Sequence, residues 1–370
     1  MERRDERHMR EALELAQRGW GRVSPRPLVG ALVVQDDAVV GRGWYAGPRG
    51  SPHAEVRAIL DSGDDALGST VVCTLEPCAH QGSTPPCTET LIRAGVRRVV
   101  VGVRDPNPIV NGRGVRQLRE AGIEVVVGVL ADSAHRLNEA FDKHITCGLP
   151  FVTLKLASSL DGKAAASDGT SKWITGEQAR ADVQRLRAGA DAVIVGAGTA
   201  VADDPVLTVR DRRFADARPP LRVVVDSGGR VPATGKLFDP TAPTLVATTD
   251  RAGRDTVLGW RDAGAEVLVL DTDVQGCVSL VHLAAELGKR EVQSILVEGG
   301  PTIAWSFVRD GMVDKVVLFL APRLVGGVGA PSAVMGGGFA PIASARRLEL
   351  SSIERVGDDL RVEAYVHGDH

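Results

Sequence analysis

Four residues at fixed spacings along this chain can do chemistry together: His53 and Glu55 in His53-Ala54-Glu55, Cys78 in Glu76-Pro77-Cys78, and Cys87 at the end of PCAHQGSTPPC. One imidazole and two thiolates are a donor set that zinc accepts, and three protein ligands leave a further position for water. That open position distinguishes a catalytic from a structural site. Zinc lowers the pKa of its water toward about 7, which makes hydroxide available at neutral pH. Glu55 is not needed as a ligand; it can take the proton of that water and pass it to a departing group. His80, in the same loop, is read as a substrate or surface residue, not as a further ligand.

The elements that must position these groups are legible in outline. Met9, Leu13, Leu15 and Ala16 recur at helical spacing between Asp5 and Arg18, which predicts an amphipathic helix. VGALVVQDDAVVGRGW predicts two strands about a turn at Asp36-Asp37. A helix is predicted to start near His53, just after Ser51-Pro52. STVVCTLEP reads as a strand stopped by Pro77, CTETLIRAG as a short helix closed by Gly95, and VRRVVVGV and EVVVGV as strands. His53 and Cys87 therefore stand at helix starts and Cys78 just beyond a strand end. Alternating helices and strands predict an α/β layered fold.

That pattern closes near Gly148-Leu149-Pro150, which predicts one domain over 1–147 and a second over 148–370. The second is also α/β. Strands are predicted in PFVTLKLASSLDG, DAVIVG, LRVVVDS, PTLVATT, EVLVLDT, SILVEGG and DKVVLFLAP, and helices in GEQARADVQRLRAG, VSLVHLAAELG and TIAWSFVRDG. No GxGxxG fingerprint occurs, and the GAG of VIVGAGTAVADD is a weak signal alone. SILVEGGPTIAWSF is stronger: a strand, Gly-Gly, Pro at the first helical position, then a helix. Glycines let backbone approach a phosphate, and a helix N-terminus offers N–H groups and a favourable dipole.

Composition narrows the function classes. The chain has 370 residues, with 44 Lys plus Arg against 47 Asp plus Glu, a net charge of −3 that argues against a strongly basic nucleic-acid binder. No run approaches the roughly 18 apolar residues of a membrane helix. The segment MERRDERHMREALELAQRG has no apolar run of signal-peptide type, so a cytoplasmic location is expected. Five cysteines, an odd number, point to free thiols in a reducing compartment. Cys73, Cys147 and Cys277 are read as small core residues.

His-x-Glu followed by Pro-Cys is the signature of zinc nucleobase deaminases. Here the second cysteine comes nine residues after the first rather than in Pro-Cys-x-x-Cys. HAE, PCxxxGxTPPC and DPNPIVNGRG (Asp105–Gly114) resemble the N-terminal domain of the bifunctional riboflavin-biosynthesis deaminase/reductase family. LKLASSLDGKAA, SKWITGEQARADVQRLRAGADAVIVGAGTAVADDPVLTVR and LVEGGPTIAWSF resemble its reductase domain. The resemblance implies a cytidine-deaminase-like three-layer α/β/α domain followed by a dihydrofolate-reductase-like α/β domain. It implies two reactions: zinc-dependent hydrolytic deamination of a phosphoribosylaminopyrimidine, then NADPH reduction of the ribosyl group to ribityl.

Residue by residue, the resemblance implies zinc on His53, Cys78 and Cys87, with Glu55 shuttling protons. It implies NADPH near Ala157, Ser158, Trp173, Thr199, Asp203, Ser227 and the Gly300-Pro301-Thr302 turn. Ser171, Arg187, Leu207, Arg210 and Glu298 fall near the substrate. Arg187 and Arg210 are candidates to clamp its phosphate, and Glu298 to accept from sugar hydroxyls or ring amines. Lys155, inside an apolar strand where an unpaired ammonium is costly, is a candidate to bond or protonate near the ribose. Two positions depart from the family pattern: Arg26 stands where Asn is usual, and Ser83 where Arg is usual. A chain with only one of the two activities is an alternative, and these two positions keep open the version in which an altered pocket no longer deaminates and only the reductase works. A zinc-dependent nucleic-acid base deaminase is the other alternative. The expected partners are a small-molecule substrate and other copies of the chain in a homo-oligomer, with no nucleic acid and no membrane.

Overall fold

Alternate residues of the N-terminal strands bury on opposite faces of one sheet, and the helices divide between those faces. The computed structural model describes residues 2–47, 50–82 and 84–366; Ser83 lies outside them. The chain divides into two compact units, the first ending at Gly148 and the second beginning at Leu149.

In the first unit the elements run α1 (Glu2–Ala16), β1 (Gly30–Gln35), β2 (Ala38–Trp44), α2 (Ala54–Ser62), β3 (Thr70–Leu75), α3 (Cys87–Arg93), β4 (Arg98–Val103), α4 (Arg113–Glu120), β5 (Glu124–Val127) and α5 (Ala131–Cys147). The sheet order is β2-β1-β3-β4-β5. β1 pairs antiparallel with β2 and β3, while β3, β4 and β5 are mutually parallel. The β1–β2 turn places Asp36 and Asp37 at φ 49° and 69°, the doubly left-handed turn that matches strand twist. Ala31, Val33, Val71, Cys73, Val99 and Val101 pack against Ala54 and Ala58 of α2, Leu91 of α3 and Leu118 of α4. Leu32, Val34, Val72 and Val100 pack on the other face against Met9, Ala12 and Leu13 of α1 and Ala134 of α5. This is a three-layer α/β/α unit. A Cβ at Gly43 would stand 2.0 Å from the Ala54 carbonyl oxygen, so glycine in β2 lets the first turn of α2, and with it His53 and Glu55, lie directly on the sheet.

In the second unit the elements run β6 (Phe151–Ser159), α6 (Glu177–Ala188), β7 (Ala192–Gly196), α7 (Ala197–Asp203), β8 (Leu221–Val225), β9 (Thr244–Thr248), α8 (Arg254–Asp262), β10 (Glu266–Val269), α9 (Leu280–Lys289), β11 (Ser294–Val297), α10 (Pro301–Arg309), β12 (Lys315–Ala321), β13 (Leu348–Val356) and β14 (Asp359–Val366). They form a nine-stranded sheet in the order β10-β9-β8-β7-β11-β6-β12-β14-β13. It is parallel from β10 through β12, and β14 runs antiparallel to both β12 and β13. The central parallel strands are apolar on both faces, as burial between two helical layers requires. Val152, Ile194, Val223, Leu245 and Ile295 face α9 and α10; Val193, Val195, Val224, Val246 and Leu296 face α7 and Trp260 of α8.

Two readings are corrected. Cys147 and Cys277 are exposed: the first ends α5, and the second lies in a loop where Asp273 accepts its N–H at 2.8 Å. Only Cys73 of the three is a core residue. Among the described residues no helix is long and apolar enough to cross a membrane.

Candidate active sites

His53 is the N-cap residue of α2, and Glu55 sits in the first turn of that helix, 3% exposed. Cys87 is the first residue of α3. Cys78 lies in the loop between β3 and α3. The Thr88 N–H donates to the Cys78 carbonyl at 3.2 Å, and Thr88 Oγ1 lies 3.3 Å from the same oxygen. The fold brings the three candidate metal-binding residues together. His53 Nδ1 is 3.2 Å from Cys87 Sγ and 3.6 Å from Cys78 Sγ. Tetrahedral zinc, about 2.3 Å from sulfur and about 2.0 Å from nitrogen, sets N···S separations of about 3.5 Å between its ligands. The donor set therefore fits that ion. Among the described residues this is the one group of three or more such side chains close enough to share an ion, and the exposed His80 is not part of it.

Each group is tuned by its neighbours. The Cys87 thiol and the His53 ring bond to the Cys78 sulfur and bring its thiol down to about 4 against the effect of burial. The bond to Cys78 and burial push the Cys87 thiol well up. Bonding to Cys78 raises His53, and the positive charge of Arg26 opposes that rise. Burial pushes the Glu55 carboxyl up to about 7, with the negative charge of Cys78 adding and His53 opposing. A carboxyl poised near neutrality beside two thiol ligand candidates can both accept and release a proton at physiological pH.

Two further side chains, to which no motif gives a role, lie against the His53 ring. Thr84 Oγ1 lies 3.4 Å from His53 Nε2, the ring nitrogen turned away from the sulfurs. The Tyr45 ring meets the His53 ring edge-on at 5.8 Å. Thr84 stands in the quoted GSTPPC run, so its position was visible; its contact depends on how the loop folds. Arg26 is exposed in the loop before β1. Buried Asn138 of α5 fastens that loop by accepting from Leu28 N–H at 2.7 Å and donating to the Leu28 carbonyl at 2.9 Å.

In the second unit several of the named residues stand at the carboxyl ends of parallel strands, where open α/β sheets bind ligands. Ala157 and Ser158 lie near the end of β6, Thr199 lies in the first turn of α7, Ser227 follows β8, and Glu298 to Gly300 join β11 to Pro301 and Thr302 at the start of α10. Two turns meet there: Gly300 N–H donates to Thr199 Oγ1 at 2.8 Å. Pro301 opens α10, whose first-turn N–H groups have no partners within the helix. Lys172 pairs with Asp203 at 3.2 Å, so the loop carrying Ser171 and exposed Trp173 reaches the end of α7. The Arg180 guanidinium lies 4.6 Å from the centre of the Trp173 ring. The Ser227 hydroxyl accepts from Val278 N–H at 2.9 Å.

Arg187 and Glu298 are each other's partners. Nε and Nη2 of Arg187 donate to the two Glu298 oxygens at 2.5 and 2.9 Å, and Nη1 donates to the Thr208 carbonyl at 3.3 Å. Arg187 is thus not an open phosphate clamp; its planar fork is held by Glu298. Burial would raise the Glu298 carboxyl, but the charges of Arg187, Lys155 and Arg210 bring it below the usual range. Burial lowers the Lys155 ammonium, and the nearby Glu298 charge works the other way. Arg210 is exposed, within electrostatic reach of Glu298. The Leu207 side chain is 2% exposed and packs into the core with Val193 and Val224, on a left-handed backbone with φ 55°. Its side chain is therefore closed to a ligand.

Residues 150–362 match the RibD C-terminal domain, and residues 2–103 match the cytidine and deoxycytidylate deaminase zinc-binding region. The chain is 43% identical to riboflavin biosynthesis protein RibD of Bacillus amyloliquefaciens, over 97% of this chain and 96% of that one. It is 40% identical to RibD of Escherichia coli (strain K12), over 96% and 98%. The structure of Acinetobacter baumannii RibD, form 1, superposes with a TM-score of 0.86 at 38% identity, covering all of both chains. A Thermotoga maritima diaminohydroxyphosphoribosylaminopyrimidine deaminase/5-amino-6-(5-phosphoribosylamino)uracil reductase superposes with a TM-score of 0.85 at 35% identity, covering 99% of each. With two separate α/β units, a His-Cys-Cys cluster beside a buried carboxyl, and this likeness along nearly the whole length, the chain belongs to the RibD family of riboflavin biosynthesis proteins.

Proposed function

We propose that this chain carries out two consecutive steps of riboflavin biosynthesis. Residues 1–147 remove the exocyclic amine of 2,5-diamino-6-(5-phosphoribosylamino)pyrimidin-4-one as ammonia. Residues 148–370 then reduce the ribosyl group of the product to ribityl. His53, Cys78 and Cys87 would hold zinc, which when bound supplies a water acidified toward about pH 7. Glu55 holds and moves the proton: its buried carboxylate accepts from water and delivers to the departing nitrogen. In the second unit NADPH supplies the hydride, and the protein supplies position and charge. The Thr199–Gly300 contact and the α10 N-terminus form the cofactor platform, with Ala157, Ser158, Trp173, Asp203 and Ser227 around it. The paired Arg187 and Glu298 present a fixed polar surface to the substrate beside Ser171, Lys155 and the Leu207 backbone. Arg210 is the guanidinium left for the phosphate.

The observation that carries this reading is the convergence of His53 Nδ1 on two cysteine sulfurs beside a carboxyl 3% exposed. The chain works in the cytoplasm as a homo-oligomer. Leu348, Leu350, Ile353 and Leu360 at the β13–β14 edge are 45, 62, 59 and 39% exposed, an apolar sheet face suited to a second copy. Metal analysis and two activity assays test the reading: about one zinc per chain, ammonia release lost in Cys87→Ala, and NADPH oxidation on the deaminated substrate retained. Ammonia release from a zinc-free Cys87→Ala protein would overturn the deaminase assignment.

A further inference from the structure

Of the three residues that converge in the first unit, Cys78 has the least help from regular structure. His53 caps α2 and Cys87 opens α3, but Cys78 stands in an irregular loop. What fixes that loop on its N-terminal side is Glu76. Its backbone N–H donates to the Val103 carbonyl at 3.0 Å. Its side chain, 3% exposed, turns toward the DPNPIVNGRG segment and accepts three main-chain bonds. Oε2 accepts from Asp105 N–H at 3.2 Å and from Gly112 N–H at 2.9 Å, and Oε1 accepts from Val115 N–H at 3.0 Å. One carboxylate thus gathers the end of β4, the loop after it and the first turn of α4 onto the residue two before Cys78. The contact is tight: a Cβ at Gly114 would stand 2.0 Å from the Pro77 carbonyl oxygen. Thr88, whose N–H donates to the Cys78 carbonyl, gives its hydroxyl proton to Gln117 Oε1 of α4 at 2.7 Å. The turn carrying Cys78 is therefore held from both sides against α4.

We propose that Glu76 is a positioning residue of the deaminase centre. By binding three backbone N–H groups of the 105–115 segment, its carboxylate fixes the Pro77-Cys78 turn and so the place of the Cys78 sulfur relative to His53 and Cys87. This rests on the reading of that cluster as the zinc-dependent deaminase site. Glu76 is not one of the three residues whose donor atoms converge; it acts through Cys78. An amide in its place keeps the shape but turns an N–H₂ group toward at least one N–H donor, which leaves that donor unpaired in the interior.

The test compares wild type with Glu76→Gln and Gly114→Ala, each as the full chain. Gly114→Ala keeps the carboxylate but pushes on the Pro77 carbonyl. Three quantities are read: zinc affinity by chelator competition, the absorption spectrum of the Co²⁺-substituted protein, and kcat and KM for ammonia release at saturating zinc. Outer partners of metal ligands typically contribute about 10–100-fold in affinity or activity. Both variants are expected to bind zinc about 10–100-fold more weakly, to show an altered thiolate-to-cobalt band, and to lose kcat more than KM rises. NADPH oxidation on the deaminated substrate should stay at the wild-type rate. Glu76→Gln with affinity, cobalt spectrum and kcat within about 2-fold of wild type would overturn the proposal. So would a Glu76→Gln protein whose first unit fails to fold in excess zinc, since Glu76 would then be a folding residue. A wild-type protein that binds no zinc and releases no ammonia would instead refute the underlying deaminase reading.

Discussion

At the scale of single residues, the proposed chemistry turns on proton positions. Glu55 must be ionised to accept a proton, and its carboxyl is raised to about 7 by burial. Ammonia release should therefore climb with pH toward neutrality and decline as acid protonates Glu55. A kcat profile that is flat from about pH 5 to about pH 8 would contradict this. Glu55→Ala should keep zinc and lower kcat by about 10²–10⁴-fold; unchanged turnover would remove Glu55 from its role. In the other unit, the Glu298 carboxyl lies below its ordinary value. Its contribution to stability is fully present above that ordinary value near 4.5, and is lost as pH falls through the lower folded one. Glu298→Ala leaves a buried guanidinium without its partner, which costs about 3–5 kcal/mol. Urea unfolding at neutral pH measures it.

At the scale of elements, positions matter more than residue types. The bond from Gly300 N–H to Thr199 Oγ1 couples the β7–α7 turn to the β11–α10 turn. Thr199→Ala removes one neutral hydrogen bond, worth about 0.5–1.5 kcal/mol, so the Kd for NADPH should rise about 2–12-fold, as read by quenching of tryptophan fluorescence. An unchanged Kd would place the cofactor elsewhere. The strands that carry most of this architecture were legible because buried parallel strands are apolar runs, and SILVEGGPTIAWSF announced a strand, a tight turn and a helix. Other elements were not. In α4, RGVRQLRE, charge hides a stripe of only Val115 and Leu118. In α7, AGTAVAD looks like part of a glycine loop. The alternation of β13 is broken by an irregularity between Leu350 and Ser352, and its apolar side chains stay exposed. The candidate metal residues were visible from type and spacing. Glu76 and Thr84 were not seen in their roles, because their partners lie across the fold. The pairing of Arg187 with Glu298 was hidden for the same reason, their positions being 111 residues apart.

At the scale of the whole molecule, the chain folds as two units with separate cores, and the proposed function assigns one chemistry to each. The exposed face at the β13–β14 edge predicts self-association: Leu350→Glu with Ile353→Glu should shift sedimentation toward a single chain, and an unchanged oligomer would place that interface elsewhere. The central claim is that hydrolytic loss of an amine precedes hydride transfer and depends on the His53-Cys78-Cys87 cluster. The most direct test follows ammonia and reduced nicotinamide absorbance in one cuvette, with the diaminopyrimidine substrate, NADPH and either wild type or Cys87→Ala. In the wild type, ammonia should appear first and NADPH should then be consumed in equal amount. With Cys87→Ala neither should change until deaminated substrate is added, whereupon NADPH alone is consumed. Ammonia from Cys87→Ala, or NADPH consumption by the wild type without prior ammonia release, would contradict the account.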